Sequence, residues 1–250
     1  MIETIKVLDH GYVKLCECWG NGGNETTPDD MESGIIMAAR QSTQGSFRGW
    51  EEDQKLLRYL YMNDPQHSTP FEFAGMIVEL EAPFFVVREM QRHRTASITD
   101  DCFSGDIGFN EMSARYTPIP CKDFVPTKER CLLFDPKNKQ SIGLDGKELD
   151  EYNALVWIEN LKHLQEHAEK VYQEGLELGI PKELARGALT VNRYSRMRVT
   201  AYLRNWCAFV LLRSHPKAQI EIQEYSRAIE KIISSKFPKV YSHFLQRRDG

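Results

Sequence analysis

The 250-residue sequence predicts an α+β fold, a mainly antiparallel sheet packed with long helices, from three observations. Apolar residues alternate with period two near the N-terminus, before Pro83 and after Thr190. Longer segments between and after these carry apolar residues at helical spacing. Strands and helices do not alternate regularly, as they would if the sheet were built from parallel βαβ units.

In chain order, Ile5 to Trp19 is rich in Val, Leu and Tyr and is broken by His10-Gly11, so it reads as two short strands joined by a turn. Thr27-Pro28 followed by Asp29, Asp30 and Glu32 predicts a helix start, with acids near the positive end of the dipole, and that helix runs to about Arg40. A second helix fits Trp50 to Met62, stopped by Asn63, Asp64 and Pro65. Phe73 to Ala82 alternates as a strand that Pro83 ends, and Phe84 to Arg94 is a short helix with its basic residues at the C-terminal end. Thr95 to Gly108 has no period and reads as loop.

The longest helical pattern lies between about Asp150 and Leu178, where Leu155, Ile158, Leu161, Leu164, Ala168 and Val171 form a stripe that marks it as the structural spine. Gly179 and Pro181 stop it. A short helix (Lys182 to Leu189), a strand (Thr190 to Thr200), an apolar helix (Ala201 to Arg213) and an amphipathic helix (Ala218 to Ser235) complete a chain read as a single domain over residues 1–250.

Composition narrows the function. A formal net charge of -4 argues against a general coat for nucleic acid, which needs many Lys and Arg on phosphates. The apolar run Cys207 to Leu212 is far short of the ~20 residues of a membrane span. Met1 to Gly11 lacks the layout of a signal peptide, and the six cysteines contain no CxxC pair, so reduced thiols and a cytoplasmic location are expected. Cys16-x-Cys18 places two thiols on one face of a strand, but no second pair stands at zinc spacing, and no metal is assigned.

The densest chemical cluster is Arg92-His93-Arg94, three potential cations after an apolar helix. Such a triplet suits an anion, since Arg presents a planar fork of donors to phosphate or to a polarised carbonyl, although a solvated helix end meets the same pattern. Close behind come Asn110-Glu111-Met112-Ser113-Ala114-Arg115-Tyr116. Together with Arg92-His93-Arg94-Thr95-Ala96-Ser97, this resembles the RHRxxSxNExSxRY signature of the flavin-dependent thymidylate synthases, interrupted by the eleven residues Thr99 to Phe109. Leu8 to Val13, Ala38 to Ser42, His67 to Glu72, Pro181 to Arg186, Leu212-Arg213 and Ala218 to Ile222 are similar to other segments of that family, in order.

The resemblance implies that Ser42, Thr69, Glu72, Arg92, His93, Arg94, Asn110, Glu111 and Arg204 face FAD. It implies that Glu111, Ser113, Ala114 and Arg115 hold dUMP, with Arg186 and Arg213 completing the site partly from a neighbouring subunit of a homotetramer. It also puts Glu89 at a dUMP-contacting position where Gln is common, and His67 on the folate or nicotinamide side. Phe73, Tyr202 and Lys217 depart from the usual His, Asn and His. The implied reaction is reductive methylation of dUMP to dTMP, with 5,10-methylenetetrahydrofolate as carbon donor, NADPH and FAD as the hydride route, and Arg213 stabilising charge on the pyrimidine.

Two rival readings follow from the residues. Pro120-Cys121 invites a folate-only thymidylate synthase with a cysteine nucleophile, which would need an activating environment for the thiol. The basic clusters Arg92 to Arg94 and Arg193 to Arg198, with Tyr194 interleaved, invite a single-stranded nucleic-acid-binding module, and Arg196 and Arg198 share one face of the expected strand. Cys102, separated from Arg94 by seven residues, lies in the interrupting segment.

Overall fold

The computed structural model describes residues 4–23, 29–93 and 108–249. Its centre is a five-stranded antiparallel sheet: β1 (Thr4–Val7), β2 (Gly11–Trp19), β3 (Gly75–Pro83), β4 (Gly108–Glu111) and β5 (Tyr194–Tyr202), in the order β1-β2-β3-β5-β4. The antiparallel α+β expectation therefore holds, and the N-terminal hairpin turns where the sequence placed it. The helices are α1 (Ser33–Gln41), α2 (Trp50–Met62), α3 (Phe84–Gln91), α4 (Lys128–Leu132), α5 (Glu151–Glu177), α6 (Lys182–Ala185), α7 (Leu203–Arg213), α8 (Ile220–Lys236) and α9 (Pro238–Asp249), with a 3-10 turn at Thr69–Phe73.

Period-two alternation sorts the sheet into two faces. Val13, Leu15, Met76, Val78, Leu80, Met197, Val199 and Ala201 are buried and form one core with Trp206, Phe209 and Val210 of α7 and Ile222, Tyr225, Ile229, Ile232 and Ile233 of α8. The core is pinned by two side-chain bonds to β3: the Trp206 indole N–H donates to Met76 O at 3.1 Å and the Tyr225 hydroxyl to Glu81 O at 2.6 Å. The opposite face carries charge in register, Glu79 opposite Arg198 and Glu81 opposite Arg196. Burying one face and solvating the other is what fixes the register, because a one-residue slip would exchange them.

Several expectations change. The helix start at Thr27-Pro28 lies outside the described residues, and the described helix begins at Ser33. Glu32 does not serve the dipole there. Its buried carboxylate accepts Val240 N–H at 2.7 Å and pairs with Lys239, tying α1 to α9. Gly108 and Phe109 belong to β4 and not to a loop, with Gly108 opposite Thr200. A Cβ at Gly108 would stand 2.7 Å from Thr200 Cγ2, so close strand approach requires glycine. A bulge between Leu15 and Glu17 breaks the alternation in β2, so Cys18 sits opposite buried Met76 and the two thiols do not share a face as expected.

The largest correction concerns α5. It begins as expected, with Asp150 capping Asn153 N–H at 2.9 Å, and ends at Gly179, whose φ of 79° suits glycine. Yet Leu155, Leu164 and Val171 of the expected stripe are 51%, 57% and 43% exposed, while Ala154, Ile158, Gln165, Ala168 and Tyr172 are buried. The helix at the heart of the core is α8, not α5. The C-terminal α9 and the short α4 were not anticipated.

Candidate active site

Helix α3 organises the site by presenting two faces. Phe84, Val87, Arg88 and Gln91 recur at helical spacing and line a cleft of about 620 Å³ together with Glu111, Ser113, Ala114, Glu183 and Arg186. Thus the NExSxRY segment and the Pro181-to-Arg186 segment, some seventy residues apart in sequence, share one cavity with the helix that precedes the RHR triplet. Glu111 leaves the end of β4 toward α3, where Gln91 Nε2 donates to its carboxylate at 3.4 Å. Asn110, one residue earlier, is exposed opposite Arg198. A tight turn then holds Ser113, with Tyr116 N–H on Ser113 O at 3.0 Å and Arg115 N–H on the Ser113 hydroxyl at 3.3 Å. Exposed Arg115 pairs with Glu183 at 3.4 Å, and Lys182 donates to Tyr116 O at 3.1 Å, which locks the two segments together.

The other face of α3 holds Arg213. Its Nε donates to His93 Nε2 at 2.7 Å, Nη1 to Glu89 Oε2 at 2.8 Å and Nη2 to Glu89 O at 2.9 Å. The donation into Nε2 fixes His93 as the neutral tautomer with its proton on Nδ1. Burial, followed by the Arg213 charge, lowers the His93 pKa to about 4, and the ring packs edge-on against Phe209 with centroids 4.9 Å apart. Burial also raises Glu89 above the ordinary carboxylate range, against the pull of Arg213. Neither Glu89 nor Arg213 lines the cleft. Within one chain the expected dUMP set therefore divides between two faces of one helix.

A third cluster sits at the opposite end of α7. Arg204 Nη2 pairs with Glu72 at 2.9 Å and Nη1 donates to Ser68 Oγ at 3.4 Å, while its buried Nε has no partner among the described residues. The 3-10 turn at Thr69–Phe73 packs against both α1 and α7, and its Glu72 reaches Arg204. His67 stacks near Tyr59 with centroids 5.5 Å apart, just before that turn. Arg92 follows α3 and is exposed, and Arg94 lies outside the described residues. A buried guanidinium N–H without a partner among the described residues, on a side chain that also meets the Ser68 hydroxyl, fits an acceptor-rich group such as a flavin cofactor.

Arg88, Gln91 and Glu183 line the cleft without having been singled out in the sequence. Helical spacing from Phe84 and Val87 was the signal for the first two. The rival readings are not favoured. Arg193 is buried and paired with Asp123 at 3.0 Å and Glu169 at 2.7 Å, and Arg198 lies 3.6 Å from Glu79, so two of the three arginines of this basic stretch have carboxylate partners. Burial and then the Glu169 charge raise the Cys121 thiol pKa, the opposite of the activation a nucleophile needs.

Residues 25–239, a span holding every site residue named above, match the model of the family described as thymidylate synthase complementing protein. The chain belongs to the flavin-dependent thymidylate synthase family. It is 34% identical over 245 residues to a flavin-dependent thymidylate synthase of Kosmotoga olearia, covering 96% of this chain and 93% of that one. It is 33% identical over 241 residues to one of Thermus thermophilus, covering 96% and 78%. A solved UMP/dUMP methylase, PolB of Streptomyces cacaoi bound with 5-Br dUMP, superposes with a TM-score of 0.76 at 26% identity over 97% of each chain. Among the described residues no helix is long and apolar enough to cross a membrane.

Proposed function

We propose that this family member methylates dUMP to dTMP, taking the carbon from 5,10-methylenetetrahydrofolate and hydride from FAD reduced by NADPH. The observation that carries the reading is the meeting around α3 of three separated family segments, with Arg88, Ser113 and Arg186 on one cleft. Guanidinium and hydroxyl donors in such a cleft suit the phosphate of a nucleotide. Arg115, now paired with exposed Glu183, is close enough to join them.

Arg213 performs the activation. For C5 of the uracil to attack a folate methylene, negative charge must be tolerated at the carbonyl edge of the ring, and a fixed guanidinium stabilises that charge without reorganising. His93, neutral, keeps the Arg213 plane fixed and is no general acid near neutral pH. Arg204, Ser42, Thr69, Glu72, Arg92, His93, Arg94, Asn110 and Glu111 are the residues that would hold FAD, and His67 borders the folate or nicotinamide side. When bound, the reduced flavin supplies hydride chemistry that side chains lack.

The enzyme is read as a cytoplasmic homotetramer with sites shared between subunits. Two features support this: Arg213 and the cleft occupy opposite faces of α3, and α5 exposes Leu155, Trp157, Leu164 and Val171 along one helix. Apolar surface of that extent suits a partner subunit. The test is the purified protein itself. It should carry a flavin spectrum and convert dUMP to dTMP with dUMP-dependent NADPH oxidation, and C121S should retain that activity. A colourless protein without the activity, or an inactive, flavin-loaded C121S, would refute the reading.

A further inference from the structure

Arg213 is held more completely than substrate binding alone requires. A guanidinium has five N–H donors. Three are engaged by α3 and the residue pair that follows it: one by His93 Nε2, one by the Glu89 carboxylate and one by the Glu89 main-chain carbonyl. His93 follows the helix end, where its N–H bonds Met90 O at 3.0 Å, and both it and Glu89 reach Arg213. The Glu89 carbonyl belongs to the last turn of α3, where carbonyls lack intrahelical donors and the helix dipole is negative. Every part of this grip follows from ending the helix at Gln91.

We infer that Glu89 is a positioning residue: with His93 it clamps the plane of Arg213 and leaves one N–H on each terminal nitrogen for the pyrimidine. This rests on the assignment of Arg213 to the uracil ring. It differs from direct contact between residue 89 and the nucleotide, because Glu89 then acts through Arg213. The side chains of Arg213 and Glu89 are 15% and 22% exposed, so each is the other's counter-ion in a largely dry setting. Removing one charge from such a pair leaves the other buried and uncompensated.

The clamp also makes pyrimidine recognition sensitive to acid. The charged groups facing Glu89 are Arg213 from α7, Arg92 just past the end of its own helix and Glu221 at the start of α8. Burial and Glu221 favour the protonated acid, while Arg213 and Arg92 favour the carboxylate. As pH falls, Glu89 takes up a proton at higher pH than an ordinary carboxylate does, and its charge-assisted bond to Arg213 weakens. Gln at this position accepts the same N–H without titrating.

The experiment measures dUMP affinity of the flavin-loaded protein from its spectral response, together with kcat and KM, for wild type, E89Q, E89A, R213A and E89A/R213A. Expected for E89A is a loss of about tenfold or more in kcat and in dUMP affinity with flavin content unchanged, the size of a lost charge-assisted hydrogen bond. E89Q should restore both to within about threefold and flatten the acid-side fall in dUMP affinity. In the R213A background, E89A should weaken dUMP no further, because its only route is gone. An equal loss in that background would mean that Glu89 meets the nucleotide itself and would overturn the clamp. So would wild-type behaviour of E89A, or an unchanged acid limb in E89Q, which as the isostere carries the test if E89A fails to fold. An R213A protein that binds and turns over dUMP normally would instead remove the assignment of Arg213, and the clamp with it.

Discussion

The two ends of α7 carry the same residue in different states. Arg204 in its first turn and Arg213 in its last have side chains 16% and 15% exposed, and each pairs with a glutamate from another element, Glu72 at 2.9 Å and Glu89 at 2.8 Å. At nine residues apart on a helix they are separated by ~13 Å. Arg213 has all three nitrogens engaged, whereas the buried Nε of Arg204 has no partner among the described residues. Equal burial and equal charge therefore do not mean equal roles. A completed fork is a rigid tool aimed by the protein. An incomplete one is a donor awaiting an acceptor, since a buried unmade hydrogen bond costs ~1–3 kcal/mol that a ligand can recover.

The largest effect that would sharpen this contrast is expected at the completed end. R213A should lower dTMP formation by ~100 to 1,000-fold, the usual loss for a donor to developing charge, while the protein stays flavin-loaded. Loss of flavin in R213A, or normal turnover, would erase the distinction between the two arginines. At the incomplete end, R204A should weaken flavin binding by ~10 to 150-fold, because a hydrogen bond from a charged group is typically worth ~1.5–3 kcal/mol. Flavin affinity unchanged in R204A would show that the orphaned N–H is not a cofactor donor.

The smallest effect concerns pH and stability. His93, at the completed end of α7, and His243, remote from both ends, are buried, and burial lowers both pKa values, His93 to about 4. The unfolded chain takes up these protons first, near its ordinary value of ~6.5, so stability is full above that pH and falls as pH drops. Each such group steepens the fall by up to ~1.4 kcal/mol per pH unit. His243→Leu should therefore make urea-unfolding stability fall less steeply between about pH 6.5 and 5, with dUMP turnover unaffected. An unchanged slope would leave the acid sensitivity to His93, inside the Arg213 clamp, because the raised pKa of Glu89 acts in the opposite sense.

Much of this was legible beforehand because it is local. Helix α2 spans Trp50–Met62, as its periodicity and its Asn63-Asp64-Pro65 stop require, and β3 ends at Pro83, which cannot continue a central ladder. The residue types around RHR and NExSxRY identified the family without any coordinates, since each motif is a short contiguous string. The helical spacing of Phe84, Val87, Arg88 and Gln91 encodes the cleft face of α3 within eight residues.

What tertiary structure alone decided is which neighbour meets each face. Periodicity marks an apolar stripe on α5 and another on α8 with equal clarity, yet α8 fills the core with Ile222, Tyr225 and Ile229 while α5 leaves Leu155 and Leu164 exposed. The basic stretch from Arg193 to Arg198 reads as available charge until Asp123 and Glu169 close over Arg193 and Glu79 approaches Arg198. Glu89 reads as a substitution at a substrate position until Arg213, 124 residues later, folds back onto it. A sequence determines a segment's period, caps and charges because these depend on neighbours within a turn or two. Burial, counter-ions and the pKa values they set depend on groups tens to hundreds of residues away, and only the packed chain brings those together.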